Sequence, residues 1–115
     1  MHKILELLET SPVIETYGIL DFRQGKDFYY IKAKAVLKDK GALYIREYIS
    51  KEERLYSYHW QDKNSRLVCR WDNASHYKQL ETFPHHKHTF EGKVERSSEI
   101  DLERVLKHIE QVFKT

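Results

Sequence analysis

Apolar and polar residues alternate along most of the chain between positions 13 and 72. Alternation with a period of two is the pattern of a strand that buries one face. The clearest run is 28–37, and similar runs predict strands over 13–23, 43–50, 54–61 and 66–72. Because only short polar turns separate these runs, the sequence predicts antiparallel pairing of consecutive strands.

Helical spacing of apolar residues appears only at the two ends of this pattern. Residues 2–10 form one such segment, and Pro12 ends it because the residue before a proline disfavours the helical conformation. Residues 101–114 form the other, with Ser98 or Asp101 available as its N-cap. A sheet with one apolar face needs a cover, and these helices can supply it. We therefore predict an α+β fold, an antiparallel sheet of about five to six strands flanked by an N-terminal and a C-terminal helix.

Glycine and proline modify this picture at two places. Gly18 interrupts the first strand, and an isolated glycine in a strand often marks a β-bulge. Pro84 falls within 82–88 and cannot donate a hydrogen bond to a sheet. We therefore predict a bulge at Gly18 and either a loop or a short edge segment over 82–88.

The length and amino-acid composition limit the class of protein that this chain can be. The length of 115 residues suits one domain over 1–115, and 40% hydrophobic residues suit a folded chain. A net charge of +2 is too mild to imply nucleic-acid binding by itself. Cys69 is the only cysteine, which rules out an intrachain disulfide and fits a cytoplasmic location. No apolar run reaches the ~18 residues that span a membrane, and no secretory signal is visible.

Four of the seven histidines lie between positions 76 and 88. Three interpretations are open for the run His85-His86-Lys87-His88. It can be a solvated polar loop. Its imidazoles can hold zinc with an open fourth position, although no carboxylate or cysteine completes a recognised metal spacing. It can also transfer protons, because imidazole titrates near neutral pH.

Proton transfer fits one reaction well. Metal-independent RNA cleavage needs a base for the 2′-hydroxyl proton, an acid for the leaving 5′-oxygen and cations for the developing charge. We assign the proton transfers to His85, His86 and His88, and the charge stabilisation to Lys87 and Arg70. No cofactor is expected.

Two further residues extend this candidate site. Asp72 ends the fifth strand and can orient an imidazole, although a turn-forming role is the plain alternative. His59 lies within the fourth strand and, taken alone, is interpreted as an ordinary sheet histidine. It belongs to the site only if its face of the sheet lies near the His85 segment.

The outward face of the sheet is predicted to carry tyrosine and basic residues. Such a face can bind single-stranded RNA through base stacking and phosphate contacts. An ordinary polar sheet face and a surface for a partner protein are equal alternatives. The residues assigned to RNA binding are Lys32, Lys34, Arg46, Tyr48 and Tyr58; Tyr30, Tyr44 and Tyr56 are also predicted to face outward.

Four segments together resemble a known family. They are residues 56–61 (YSYHWQ), 70–74 (RWDNA), 82–88 (TFPHHKH) and the helix start at Leu102-Glu103. In this order they are similar to the TumE family of prokaryotic toxins, over roughly positions 14 to 112. Family members often carry Pro-His-His after the Asn-Ala of the second segment, whereas this chain has Ser75-His76-Tyr77 and lacks one of those imidazoles.

The resemblance implies a small cytoplasmic toxin that a cognate antitoxin neutralises. The resemblance and the cluster of histidine, lysine and arginine residues together predict a toxin that acts as a metal-independent endoribonuclease. The alternative is a non-enzymatic module that binds RNA or protein through its tyrosine-rich face. Exposed edges of an antiparallel sheet also favour a homodimer.

Overall fold

A computed structural model describes residues 2–115 and shows two helices and one seven-stranded sheet. Every strand pairs antiparallel with its neighbour in the chain, so the sheet order is β1 to β7. The elements are α1 (His2–Thr10), β1 (Ile14–Gln24), β2 (Phe28–Leu37), β3 (Ala42–Ser50), β4 (Arg54–Gln61), β5 (Leu67–Asp72), β6 (His86–Thr89), β7 (Val94–Arg96) and α2 (Leu102–Phe113). The predicted α+β fold with two flanking helices is confirmed.

The sheet has more strands than predicted because the histidine-rich segment forms a hairpin. β6 pairs with β5 and β7 pairs with β6. Gly92 closes the turn between them with a φ of 81°, a conformation that side chains disfavour. Pro84 lies two residues before β6, so its missing N–H does not interrupt the sheet. A four-residue strand flanked by loop is too short to show clear alternation in sequence.

The core lies between one face of the sheet and the helices. Ile31 and Leu37 on β2 are fully buried, as the alternation predicts. Leu102, Val105, Leu106 and Ile109 of α2 are buried against the core. Asp101 caps α2 by accepting a hydrogen bond from the backbone N–H of Arg104 at 2.9 Å. Near the end of α2, Phe113 packs partly buried against the core, whereas Val112 is 43% exposed.

Tyr56 and Tyr58 face the core, and the prediction that they face outward is wrong. Tyr58 lies opposite Ile45 on β3 and Trp71 on β5, and directly opposite residues share a face of the sheet. Its exposure is 0%, and its hydroxyl donates a hydrogen bond to Glu47, which is also buried. Because Tyr58 has no exposed surface, it cannot stack on a base, and we remove it from the RNA-binding set.

β1 is one of two open edges of the sheet. Gly18 pairs regularly with Lys34, so the predicted bulge at this glycine is wrong. The register shifts of β1 instead flank Glu15 and Leu20. A bulge changes the twist of an edge strand and hinders further pairing. The homodimer expected from exposed edges stays a prediction.

Neither helix in residues 2–115 has the length and apolar character that crossing a membrane requires.

Candidate functional site

Strand pairing gathers the polar candidates on the sheet face opposite the helices. His59 of β4 lies opposite Arg70 of β5, and Arg70 lies opposite His88 of β6. The neighbouring row contains Asp72 of β5 opposite His86 of β6. The register therefore brings together five of the residues proposed from the sequence, although His59 is 29 positions from His88 in the chain. We call these five residues the β4–β6 cluster.

Asp72 is the centre of a hydrogen-bond network in this cluster. Its Oδ1 accepts a bond from the backbone N–H of Ala74 at 3.0 Å and lies 2.8 Å from Nε2 of His86. Its Oδ2 accepts from Nε–H of Arg70 at 3.1 Å and lies 3.5 Å from Nε2 of His88. Both carboxylate oxygens are therefore engaged, and Asp72 fixes the positions of its neighbours.

His86 is held from both sides of its ring. Nδ1 lies 3.0 Å from the carbonyl oxygen of Pro84, and Nε2 faces Asp72. Both partners accept, so the two bonds can form together only when each ring nitrogen carries a hydrogen. His86 is 1% exposed and offers almost no surface to a ligand. We therefore regard it as a positioning residue rather than a group that touches substrate.

His59 and His88 remain half-exposed and differ from His86 in this respect. Burial and the nearby guanidinium of Arg70 lower the pKa of His59. Burial, together with His86 and Arg70, also lowers the pKa of His88, although Asp72 opposes this shift. Nδ1 of His59 lies 3.4 Å from Nη1 of Arg70, which can only donate. His59 therefore accepts at Nδ1 in its neutral form.

A groove of about 1010 Å³ opens over four of the five cluster residues, all except His59. Its floor is the outward sheet face, and the segment between β5 and β6 forms one wall. Tyr77 of this segment packs its ring 4.7 Å from that of His86 and 5.8 Å from that of His88. Arg70, Asp72 and His88 all line the groove. The groove can therefore admit a ligand to the accessible part of the cluster.

Asn73 anchors the segment that forms this wall. Its Oδ1 accepts from the backbone N–H of Tyr56 at 2.9 Å, and its Nδ2 donates to the carbonyl of Arg54 at 2.6 Å. The Asn73 side chain thus hydrogen-bonds to two backbone groups of β4. A longer β5 would have formed hydrogen bonds with these same two groups. The Asx turn is made by the neighbouring Asp72, through its bond to Ala74.

His85 and Lys87 lie apart from the cluster. Lys87 is opposite Trp71, a core-facing residue, so it projects from the helix-covered face of the sheet. Nδ1 of His85 is 2.9 Å from the hydroxyl of Tyr56, and the two rings are stacked. Alternation along β6 separates Lys87 from His86 and His88, because a strand directs successive residues to opposite faces. His85 precedes β6 and is separated from them by its contact with Tyr56.

The residues predicted to bind RNA, apart from Tyr58, share the outward face with the cluster. Lys32 lies opposite Arg46, and Arg46 lies opposite Ser57, in the row that continues through Asp72 to His86. Tyr48 stacks on Phe28, with ring centroids 5.9 Å apart. Lys34 places its Nζ 5.5 Å from the ring centroid of Tyr44. These four residues form a basic and aromatic surface beside the groove.

The cluster also has donor atoms of the kind that bind metals. Asp72, His86 and His88 each offer one such atom, and the three lie within 4.8 Å of one another. In the structure, however, His86 and Asp72 contact each other at 2.8 Å, and the guanidinium of Arg70 lies beside the same carboxylate. The guanidinium opposes the approach of a second cation, so we favour the hydrogen-bonded network as the resting arrangement.

Three of the four segments that carry the resemblance, 56–61, 70–74 and 82–88, supply the cluster and part of its wall. A family model described as Toxin TumE matches residues 4–114, nearly the whole chain. The chain belongs to the TumE toxin family. Membership in this toxin family implies a cognate antitoxin as partner. Searches among curated proteins and among solved structures find no match.

Sequence reasoning missed two groove residues of this TumE family member. Ser57 lies opposite Asp72 and lines the groove. The alternation along β4 places Ser57 on the same face as His59, so the signal was present. Tyr77 had no such signal, because its position depends on how an irregular segment folds back over β6.

Proposed function

We propose that this TumE toxin is an endoribonuclease that cleaves RNA by acid–base chemistry without a metal ion, acting in the cytoplasm. The observation that carries the proposal is the row His59–Arg70–His88, in which Arg70 and His88 line the large groove and His59 lines a smaller groove that Arg70 also lines. It offers two titratable rings with a cation between them. Acid–base cleavage of a phosphodiester requires these three groups.

The spacing of the row suits the reaction. β4 and β6 are separated by two strand spacings, roughly 10 Å at the backbone. A phosphodiester whose attacking and leaving oxygens each make a hydrogen bond of ~2.8 Å fits a span of this size. Arg70, on the strand between them, lies where it can donate to the non-bridging phosphoryl oxygens.

The 2′-hydroxyl beside the scissile phosphate is the nucleophile of the proposed cleavage. One imidazole removes the 2′-hydroxyl proton while the 2′-oxygen bonds to phosphorus. The bond from phosphorus to the 5′-oxygen breaks, and the other imidazole, protonated at the start, gives its proton to that oxygen. The products are a 2′,3′-cyclic phosphate and a 5′-hydroxyl. His59 and His88 are the candidates for the two transfers.

Asp72 and His86 hold Arg70 and His88 in position. Asp72 bonds to Arg70 and approaches His88, so it orients the cation and one of the rings. His86 in turn fixes Asp72. Removing either residue should weaken catalysis through misplacement of Arg70 and His88, rather than through loss of a group that touches RNA.

The experiment is cleavage of a fluorescent single-stranded RNA by His59→Ala, His88→Ala and His85→Ala in the presence of chelator. A proton-transfer residue contributes about 10²- to 10⁴-fold, so the first two variants should lose at least about 100-fold in kcat. His85→Ala is the matched control, because His85 lies on the other sheet face and should keep most activity. Equal activity in all three variants would overturn the assignment.

A second candidate is a non-enzymatic module that binds RNA or protein, and the Phe28–Tyr48 stack favours it. Phe28 is 39% exposed, and large apolar groups at a surface often mark a binding patch. In that case Tyr48→Ala or Arg46→Glu should relieve growth arrest in cells, whereas His88→Ala should not. The reverse order of effects would support the nuclease.

A further inference from the structure

A second and smaller groove crosses the outward face of β2 to β5. Its volume is about 330 Å³. Its charged lining residues are Lys32, Arg46 and Arg70, and none of the described residues that line it is acidic. Tyr44 and His59 add aromatic surface. A basic groove with aromatic rings is the kind of surface that holds a single-stranded nucleic acid.

Two of the three charges of this groove, those of Lys32 and Arg46, have no ion-pair partner among the described residues. The third charged residue, Arg70, forms an ion pair with Asp72. Asp21 lies opposite Lys32 on β1, but its carboxylate pairs with Arg23 at 3.4 Å. Lys32 and Arg46 are therefore available to an external anion.

The second groove is continuous with the proposed active site. Arg46, Ser57 and Arg70 line both grooves. Arg70 lies on β5 and Lys32 lies on β2, three strand spacings away, which is roughly 14 Å. A chain that places one phosphate at Arg70 can therefore run across the strands with later phosphates at Arg46 and Lys32.

We propose that this second groove binds the phosphate backbone of single-stranded RNA on one side of the scissile bond. The inference rests on the proposed nuclease function for its choice of polymer. The contacts with Arg46 and Lys32 are to phosphates and carry no sequence information. The groove therefore extends the bound length of RNA without selecting its bases.

The test measures binding alone, so that it does not depend on cleavage. A fluorescent single-stranded oligoribonucleotide methylated at every 2′-oxygen cannot undergo the 2′-hydroxyl attack. Its affinity is measured by anisotropy over a series of salt concentrations for the wild type and for the double variant Lys32→Ser/Arg46→Ser. The matched control is Arg104→Ser/Lys107→Ser, which removes the same charge from the exposed surface of α2.

The groove variant should bind at least about tenfold more weakly than the wild type, and the control should stay within about twofold. The dependence of log affinity on log salt should also become shallower by about 1.4, since each phosphate contact to a single strand contributes about 0.7. Equal losses in both double variants would show general charge attraction and overturn the proposal. Failure of the wild type to bind the oligonucleotide would also overturn it, and would leave an acidic protein segment as the ligand.

The outcomes separate this inference from the nuclease proposal. Binding lost only in the groove variant, with no cleavage of ordinary RNA, would support the groove and contradict the nuclease. Cleavage by the wild type, with an unchanged KM in the groove variant, would support the nuclease and contradict the groove. Circular dichroism of each variant confirms that it is folded before binding is compared.

Discussion

The carboxylate of Asp72 contacts the ring of His86, with Oδ1 2.8 Å from Nε2. Both side chains are buried, and they come from strands that pair directly. The same carboxylate reaches Arg70 through its other oxygen. One buried pair therefore supports the accessible part of the cluster, and this arrangement can be tested through stability as well as through activity.

His86→Ala should destabilise the protein by about 3 kcal/mol, because it leaves the Asp72 carboxylate buried with one partner fewer. Urea unfolding followed by circular dichroism measures this change. His76→Ala is the control, since His76 is exposed on the same wall and its removal should cost less than about 0.5 kcal/mol. A loss below 1 kcal/mol for His86→Ala would show that the pair does not support the cluster.

The sequence predicts the strands and helices well because their apolar periods are long and regular. β2 alternates over ten residues and α2 repeats over twelve. β6, with four residues, and β7, with three, are too short for a period to be recognised. The predicted strand count was low for this reason.

The candidate site was predicted in its residue types but not in its geometry. Arg70, Asp72, His86 and His88 are gathered by pairing between β5 and β6, and no local pattern predicts that pairing. The run is then divided between two faces, because His85 packs on the core-facing Tyr56 whereas His86 and His88 pair on the outward face. Tyr58 was misassigned because tyrosine alternates with serine and histidine along β4, and aromatic residues suit either face of a sheet.

The pH optimum of cleavage should lie on the acidic side of the ordinary histidine pKa of about 6.5. Burial, with the charge of Arg70, lowers the pKa of both His59 and His88 below the ordinary value of 6.5. A lowered pKa keeps each ring neutral to lower pH, and catalysis needs one ring neutral and the other protonated. The optimum of kcat/KM should therefore lie below pH 6.5. An optimum above pH 7.5 would contradict the assignment of both rings.

The same shifts predict how folding stability changes with pH. A histidine whose pKa is lower in the folded state binds protons more weakly there than in the unfolded chain. Stability is then greatest above the unfolded pKa of about 6.5 and falls as the pH falls through it. NMR titration of the two rings checks the cause directly, since Arg70→Gln should raise the pKa of both His59 and His88.

Cleavage should continue in the presence of chelator. Asp72 and His86 already bond to each other, and Arg70 repels a cation near them. We expect the rate after dialysis against EDTA to stay within about twofold of the untreated rate, with far less than one zinc per chain by elemental analysis. Loss of activity in EDTA that zinc alone restores, in the wild type but not in Asp72→Asn, would indicate metal-dependent hydrolysis at these donors.

Tyr58→Phe separates a core role of this tyrosine from an RNA-binding role. The hydroxyl of Tyr58 donates to Glu47 and accepts from Nη2 of Arg54 at 2.8 Å, all on the helix-covered side of the sheet. Removing it leaves Glu47 buried with a bond from Tyr29 at 3.1 Å and one partner fewer. We therefore expect a loss of about 1–3 kcal/mol in the free energy of unfolding.

Binding of the methylated oligonucleotide should not change in Tyr58→Phe, because this side chain has no exposed surface. Tyr48→Phe is the matched comparison on the outward face. It removes the same hydroxyl from a half-exposed ring and should leave stability within about 0.5 kcal/mol of the wild type. Weaker oligonucleotide binding by folded Tyr58→Phe would mean that the buried hydroxyl influences the outward face, and that the two faces of the sheet are not functionally separate.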